Sequence, residues 1–264
     1  MSKLRAMHPR RTAKTLVRSF AEHDLLTYAS AIAFQAFFAL IPLTLTALGL
    51  LGALHQESVW SSDVAPQIKP QVSGPVFQVM DDTVHRIFDA RSLFWATLGA
   101  ALTVWEVSGA MRAVMTVLDR IYRVRRERRW VERYAVSLAL STLVIVLLLG
   151  AGGVMVVSHL AGGLLLGVLR WPVAAAVLLG ALVAVVRWAP AQEREWHWVS
   201  FGTGLVVIAW LGMSTGFSLY LREVADYGSI FGNLATLIVT LEYLYLTAIV
   251  FLGGLAVDGI AQQD

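Results

Sequence analysis

Residues 28–54 read YASAIAFQAFFALIPLTLTALGLLGAL and hold no charged side chain. As a helix this run would reach about 40 Å, more than the roughly 30 Å of a bilayer's hydrocarbon core. It has no polar stripe of the kind a surface helix of a soluble domain keeps toward water. In lipid every backbone N–H and C=O must be satisfied within the segment, which a helix does; barrel strands would appear as short alternating runs instead.

Outward from that stretch, comparable runs lie at Phe94 to Leu118, Ala135 to Leu160, Leu164 to Ala189, Trp198 to Leu221 and Ile230 to Asp258. The composition agrees: 57% of the 264 residues are hydrophobic and 15% charged, with a mean hydropathy of +0.66. The chain therefore reads as an all-α integral membrane protein, a bundle of six transmembrane helices. Residues 1–27 form a basic amphipathic segment and residues 28–260 one membrane domain, with an outer loop at 55–93, an arginine-rich loop at 119–134 and a tail at 261–264. Only Ala161, Gly162 and Gly163 separate the third and fourth runs, so a tight antiparallel hairpin is expected there.

Basic residues set the orientation. Lys3, Arg5, Arg10, Arg11, Lys14 and Arg18 precede the first run, Arg120 to Arg133 follow the second, and Arg187 and Arg194 flank the loop after the fourth. They outnumber Lys69, Arg86, Arg91, Arg170 and Arg222 on the other side, so both termini are expected in the cytoplasm, with the protein in the cell inner (plasma) membrane. The first run is too long for the h-region of a signal peptide and is expected to stay in the mature protein. Trp60, Trp95, Trp130, Trp171, Trp188, Trp196 and Trp198 fall near run ends, at headgroup depth. The chain has no cysteine, which excludes disulfides, thiolate metal sites and a thiol nucleophile.

Two segments outside the runs are amphipathic. From Arg10 to Asp24, Ala13, Leu16, Val17 and Phe20 recur at helical spacing opposite Arg11, Lys14 and Arg18, which suits an anionic leaflet. In the outer loop, Val76, Val79, Met80, Val84, Ile87 and Phe88 form one stripe against Asp81, Asp82, His85, Arg86 and Asp89. That helix would cap the bundle or serve as a lid.

Ionisable residues at membrane depth are costly and face protein or a hydrated cavity. Glu106, Arg112 and Glu242 are the candidates for a transport or proton site. The neighbours Gly99, Thr103, Gly109, Ala110 and Ala113 leave room for close approach of a second helix, so Glu106 is expected to point into protein. A buried carboxyl there would exchange protons or serve as an interhelical hydrogen bond. Trp105, Ser108, Arg112, Thr116 and Asp119 form a stripe toward the inner end, and with Trp210 and Tyr245 they are the candidate cavity lining. Arg112 lies near enough to that end for its guanidinium to snorkel to the inner headgroups. Arg123, Arg125, Arg126, Arg128 and Arg129 are expected to contact anionic lipid rather than nucleic acid.

Pro42 removes a backbone hydrogen bond and is expected to kink the first helix. Gly150, Gly152 and Gly153 would loosen the third. Gly163 with Gly167, Gly212 with Gly216, and Gly228 with Gly232 have the spacing of tight helix packing, within a bundle or a homo-oligomer. Trp105 and Tyr122 have the same separation as Trp210 and Tyr227, the pattern an inverted repeat would leave.

The opening run with Pro42, the run VWEVSGAMRAVMTVLDRIYRV and the closing run YGSIFGNLATLIVTLEYLYLTAIVFLGGLAVDGI resemble the YihY/virulence factor BrkB family. The order of Pro42, Trp105, Ser108, Tyr122, Tyr227, Gly228, Ser229, Leu244, Tyr245 and Gly253 carries the resemblance over roughly Leu25 to Ile260. The chain departs from it at Asp119, where asparagine is usual, at Leu255, and at Glu106 and Glu242, where uncharged residues are common. The resemblance implies a six-helix inner-membrane protein connected with the cell envelope. Relatives have carried a ribonuclease label, but the six histidines are scattered, with no pair at ligand spacing and no acidic cluster to hold magnesium.

No cofactor or metal is implied, and no enzyme is expected: no serine has a histidine or lysine base near it at membrane depth. No Gly-rich loop with Lys-Ser/Thr exists for nucleotide phosphates. The expected function is a transporter or lipid-translocating protein that is not ATP-driven by its own sequence, with proton coupling through the glutamates. The alternative is a scaffold that organises an envelope assembly through the arginine loop and the outer helix.

Overall fold

The computed structural model describes residues 20, 22, 24–71, 74–124, 128–161, 164–191, 196–223 and 234–263. Within them the long elements are six helices: α1 Leu25–Ala53, α2 Gly74–Ile121, α3 Trp130–Ala161, α4 Leu164–Trp188, α5 Trp196–Glu223 and α6 Leu234–Gln263. Short helical turns from Trp60 to Gln71 join α1 toward α2. No strand occurs among the described residues.

Five helices hold a run long and apolar enough to cross a membrane, at Leu25–Ala53, Ser92–Ile121, Trp130–Val154, Gly204–Leu221 and Leu237–Gly259. In α4 the apolar stretch found is Ala175–Trp188. Among the described residues five runs are thus long and apolar enough to cross, where the sequence alone suggests six.

Helix α2 differs from expectation in length. Instead of an outer amphipathic helix followed by a separate span, its 48 residues run without a break. At 1.5 Å per residue that is about 72 Å, more than twice a hydrocarbon core. The segment Gly74 to Arg91 thus extends the same rod beyond the apolar part. Helix α1 continues through Pro42. Next to the proline, Thr44 and Thr46 donate side-chain hydrogen bonds to the carbonyls of Leu40 and Pro42, each at 2.8 Å.

Two helices end in the same way. Beyond α1, Gln56 N–H bonds the Leu51 carbonyl at 2.8 Å and His55 N–H the Gly52 carbonyl at 3.1 Å. Beyond α2, Val124 N–H bonds Asp119 O at 2.9 Å and Arg123 N–H bonds Arg120 O at 3.1 Å. Both are Schellman closures, and they place His55 and Arg123 at φ 54° and 49° where glycine is the usual residue.

By packing, the chain divides into two compact units. One comprises residues 1–37, 108–144 and 179–264, the other residues 38–107 and 145–178. The core of the first combines Met115, Leu118, Leu140, Val186 and Leu255 with a second cluster of Leu25, Val117, Leu252 and Ala256. Phe20, the one described apolar residue of the N-terminal amphipathic stripe, packs against that second cluster.

In the second unit α1 and α2 cross closely. A Cβ on Gly99 would lie 2.7 Å from the Thr46 nitrogen and 2.8 Å from the Pro42 oxygen. Thr46 and Thr103 face each other, hydroxyl to hydroxyl, at 3.5 Å. The small-residue face of α2 thus approaches a helix, as its sequence suggests. The glycine pair expected to do the same on α5 does not: a Cβ on Gly212 or Gly216 would meet nothing within 4 Å. Toward the loops, Trp60, Ala65, Val84 and Phe88 form a small core, fixed by the Trp60 indole donating to Asp81 at 2.7 Å.

Candidate functional site

The polar stripe of α2 takes shape in the first unit. Ser108 is buried, and its Oγ accepts from Arg112 Nη1 at 2.9 Å. The Arg112 guanidinium lies over the Tyr134 ring of α3, 4.5 Å from its centre. Arg133, one residue before that tyrosine, donates to Thr116 Oγ1 and reaches the Arg112 carbonyl at 3.5 Å. Thr116 in turn donates to the same carbonyl at 2.8 Å. Steps of three and four residues put Ser108, Arg112 and Thr116 on one face of α2, and the first turn of α3 lies along that face.

This corrects the snorkelling expectation for Arg112. The side chain runs back toward Ser108, one turn away from the arginine-rich loop. A hydroxyl and an aromatic face hold its charge, an arrangement stabilising by cation–π attraction of order 0.5–2 kcal/mol.

Nearer the loop the stripe becomes structural. Asp119 Oδ1 accepts the Ala191 backbone N–H at 2.8 Å, and Arg128 donates to the carbonyls of Ala189 at 2.8 Å and Trp188 at 3.1 Å. Together they close the C-terminal end of α4, where exposed carbonyls favour a cation. The asparagine that the family resemblance suggests at position 119 has an oxygen able to accept the same N–H. Arg128 is therefore engaged by protein rather than free for lipid. Arg128→Gln is expected to destabilise by about 1–2 kcal/mol, lowering the thermal midpoint in detergent, whereas exposed Arg129→Gln should leave it within error. Arg123 is exposed at the end of α2; Arg125 and Arg126 lie outside the described residues.

Glu242 occupies a different place in the same unit. It lines a cavity of about 490 Å³ with Ile238, Leu241 and Tyr245 of α6 and Ser30, Ala33 and Phe34 of α1. Glu242 and Tyr245 are the ionisable residues among those that line it, and none of the lining residues is a partner of Arg112. On the neighbouring face of α6, Tyr243 and Ser214 share a hydrogen bond at 3.0 Å beside a second cavity. Glu106 belongs to the other unit, is partly exposed, and has no hydrogen-bond or ion-pair partner among the described residues. Trp105 and Trp210, expected to line a cavity, are exposed, Trp105 at 68%.

Arg133 and Tyr134 were not legible as site residues. In the sequence Arg133 is one more basic residue after a span, and only its reach onto Thr116 distinguishes it.

Large apolar side chains on the outside complete the picture: Phe34, Ile41, Val146, Ile208 and Leu211 are each more than half exposed, far beyond what a water-soluble surface tolerates. Long helices with such surfaces and five crossing runs define a multi-pass α-helical membrane protein.

Matched against family models, residues 16–264 fit that of the virulence factor BrkB family, and the chain belongs to that family. A Bacillus subtilis protein named for a likeness to ribonucleases, YfkH, is 25% identical over 255 residues, covering 91% of this chain and 92% of that protein. A UPF0761 membrane protein of Methylibium petroleiphilum is 27% identical over 268 residues, covering 95% of this chain and 62% of the relative. One from Chromohalobacter salexigens is 28% identical over 265 residues, covering 92% and 61%. The chain thus spans about three fifths of the length of these UPF0761 relatives. No solved structure matches it.

Proposed function

We propose that this protein is a transporter or lipid-translocating protein of the cell envelope. In this reading it crosses the inner membrane six times with both termini in the cytoplasm, is not driven by ATP through its own sequence, and uses Glu242 to couple movement to protons. The observation that supports it is the place of Glu242 among the residues that line an apolar cavity between α1 and α6. A carboxyl group in a membrane-spanning helix can take up and give back a proton, which the apolar side chains around it cannot. A packing residue would fill the space instead. Gly212 and Gly216, open on α5, leave a face for a second copy of the chain. No catalytic residue is assigned and no nucleic acid is a partner in this reading.

Vesicles reconstituted with the protein should show proton flux reported by an internal pH dye. Glu242→Gln should reduce it about tenfold or more, since a carboxamide cannot carry a proton, while the detergent melting midpoint stays near that of the wild type. Equal flux in wild type and variant would remove the proton-coupled reading. Absence of any flux, together with capture of a partner that is lost on charge reversal of Arg125 and Arg126, would favour a scaffold.

A further inference from the structure

The α2 stripe that includes Val79, Met80, Val84 and Ile87 reads in sequence as a cap or a lid; in the structure it forms one wall of a cavity of about 730 Å³. Residues within 43–51 of α1, Trp60, Val64 and Ile68 of the helical turns, and Leu148 and Leu149 of α3 form the rest. All of this lining belongs to the second unit. Its α1 and α3 parts lie in runs apolar enough to cross a membrane, whereas 79–87 precede the run of α2, which begins at Ser92. A Cβ on Gly49 would meet the Ala96 Cα at 2.7 Å and one on Gly52 the Phe88 Cα at 3.2 Å, so the two helices are antiparallel and 79–87 lie past the end of α1. The cavity therefore reaches from among the crossing runs to beyond their end.

The chemistry of the lining selects what can fill it. Its volume falls within the range of ligand sites, about 300–1,000 Å³. Among the lining side chains Thr44, Thr83 and Trp60 carry the polar groups, and each has already given its hydrogen. Thr44 donates to the Leu40 carbonyl at 2.8 Å, Thr83 to the Val79 carbonyl at 2.6 Å and Trp60 to Asp81 at 2.7 Å. Water does not suit such a space, since an enclosed water needs about two to four polar partners. A peptide backbone or a sugar would leave its hydrogen bonds to water behind and find no donor there. Hydrocarbon forfeits nothing, and it is the medium that surrounds α1 and α3 in a membrane. Val79 and Leu148, both large, apolar and exposed, need that kind of cover. The lining stretches 43–51 and 79–87 each rise about 12 Å, and a chain that reaches across half of a hydrocarbon core is about 15 Å long. One chain placed across their junction touches both.

We propose that this cavity is a binding site for a fatty acyl chain of a membrane lipid, which enters between α1 and α3 and lies along the α2 stripe beyond the crossing runs. The site is separate from Glu242, which belongs to the other unit, and does not rest on proton coupling. Trp60, held by Asp81, fixes the wall on the side of the helical turns.

The test uses the full chain in nanodiscs containing a phosphatidylcholine with a photoreactive diazirine midway along one acyl chain. After illumination the labelled residues are located by peptide mass spectrometry. Label on 43–51 is expected from any surrounding lipid, so the informative label is on 79–87. Wild type should carry it there. Thr83→Trp, which puts a large ring into the cavity, should lower that yield about tenfold, because an overfilled space shuts out a chain. Gln78→Trp adds the same ring at an exposed position outside the lining and should leave it unchanged. Label on exposed Ile208 of α5 should be equal in all three proteins. Ala47→Phe blocks the cavity from the α1 side and keeps a readout if Thr83→Trp does not fold. Label on 79–87 that neither folded blocking variant reduces would overturn the proposal. Absence of that label from the wild type would overturn it too, and a dimer in native mass spectrometry would then give the cavity to a second copy of the chain. The experiment reads binding and not flux, so its failure and that of the Glu242 test are told apart.

Discussion

Gly99→Leu is expected to leave little extractable folded protein. At this position α1 and α2 touch backbone to backbone: a Cβ would sit 2.7 Å from the Thr46 nitrogen and 2.8 Å from the Pro42 oxygen. Neither atom can rotate away, so any side chain must push the helices apart. The contact is shared along the crossing, since a Cβ on Gly49 would lie 2.7 Å from the Ala96 Cα and one on Gly52 3.2 Å from the Phe88 Cα. Separating the pair at Gly99 forfeits those contacts and the Thr46 to Thr103 approach as well. Overpacking of a tight contact costs about 1–3 kcal/mol and occasionally more, and a leucine at a backbone crossing belongs at or above that upper value. Size-exclusion profiles of detergent extracts and the thermal midpoint measure the effect. Gly150→Leu is the control, because nothing lies within 4 Å of its Cβ position. Similar losses in both variants would show that this crossing does not hold the second unit together.

Asp258→Ala should be nearly as damaging in the first unit. Asp258 is fully buried in α6 and accepts the Tyr122 hydroxyl at 3.2 Å. Its neighbour Gly259 is already so close to α2 that a Cβ there would meet the Ile121 side chain at 2.6 Å. Removing the carboxyl leaves a hollow that this tight surrounding cannot easily close, and takes the acceptor from Tyr122. The transfer, cavity and hydrogen-bond losses together come to about 2–4 kcal/mol. Asp258→Asn keeps the volume and an acceptor oxygen, so it should cost roughly half as much or less. Chemical unfolding of the detergent-solubilised variants checks both. An alanine variant as stable as wild type would mean that the Tyr122 to Asp258 contact is incidental to the fold.

The sequence announces its helices because a lipid solvent leaves few options. Charge-free runs of this length satisfy their backbone only as helices, and the expected spans Tyr28 to Leu54 and Ala135 to Leu160 coincide within a few residues with α1 and, at its C-terminal end, α3. Its reading weakens where periodicity looks alike on both sides of the interface. The amphipathic stripe from Val76 to Phe88 and the span after it share one helical phase, so nothing in the residues says whether the rod breaks between them.

Side-chain roles were legible only in part. That Ser108, Arg112 and Thr116 share a stripe follows from helical spacing, and that Gly99 and Thr103 meet another helix follows from their size. The glycines of α5 have the same spacing and meet nothing, because spacing reports what a face permits and not what comes to lie against it.

What the residues determined alone is the solvent, the helical class, and the position of ionisable groups along each rod, since these depend on transfer from water to lipid and on a fixed rise per residue. What the tertiary structure decided is which helix each group meets. Arg112 folds back onto Ser108 and Tyr134, Arg133 reaches Thr116, Arg128 closes the end of α4, and Glu242 lines a cavity. Those partnerships join residues far apart in the chain, and contact between distant helices depends on how whole surfaces fit together, which no local pattern of charge or size encodes.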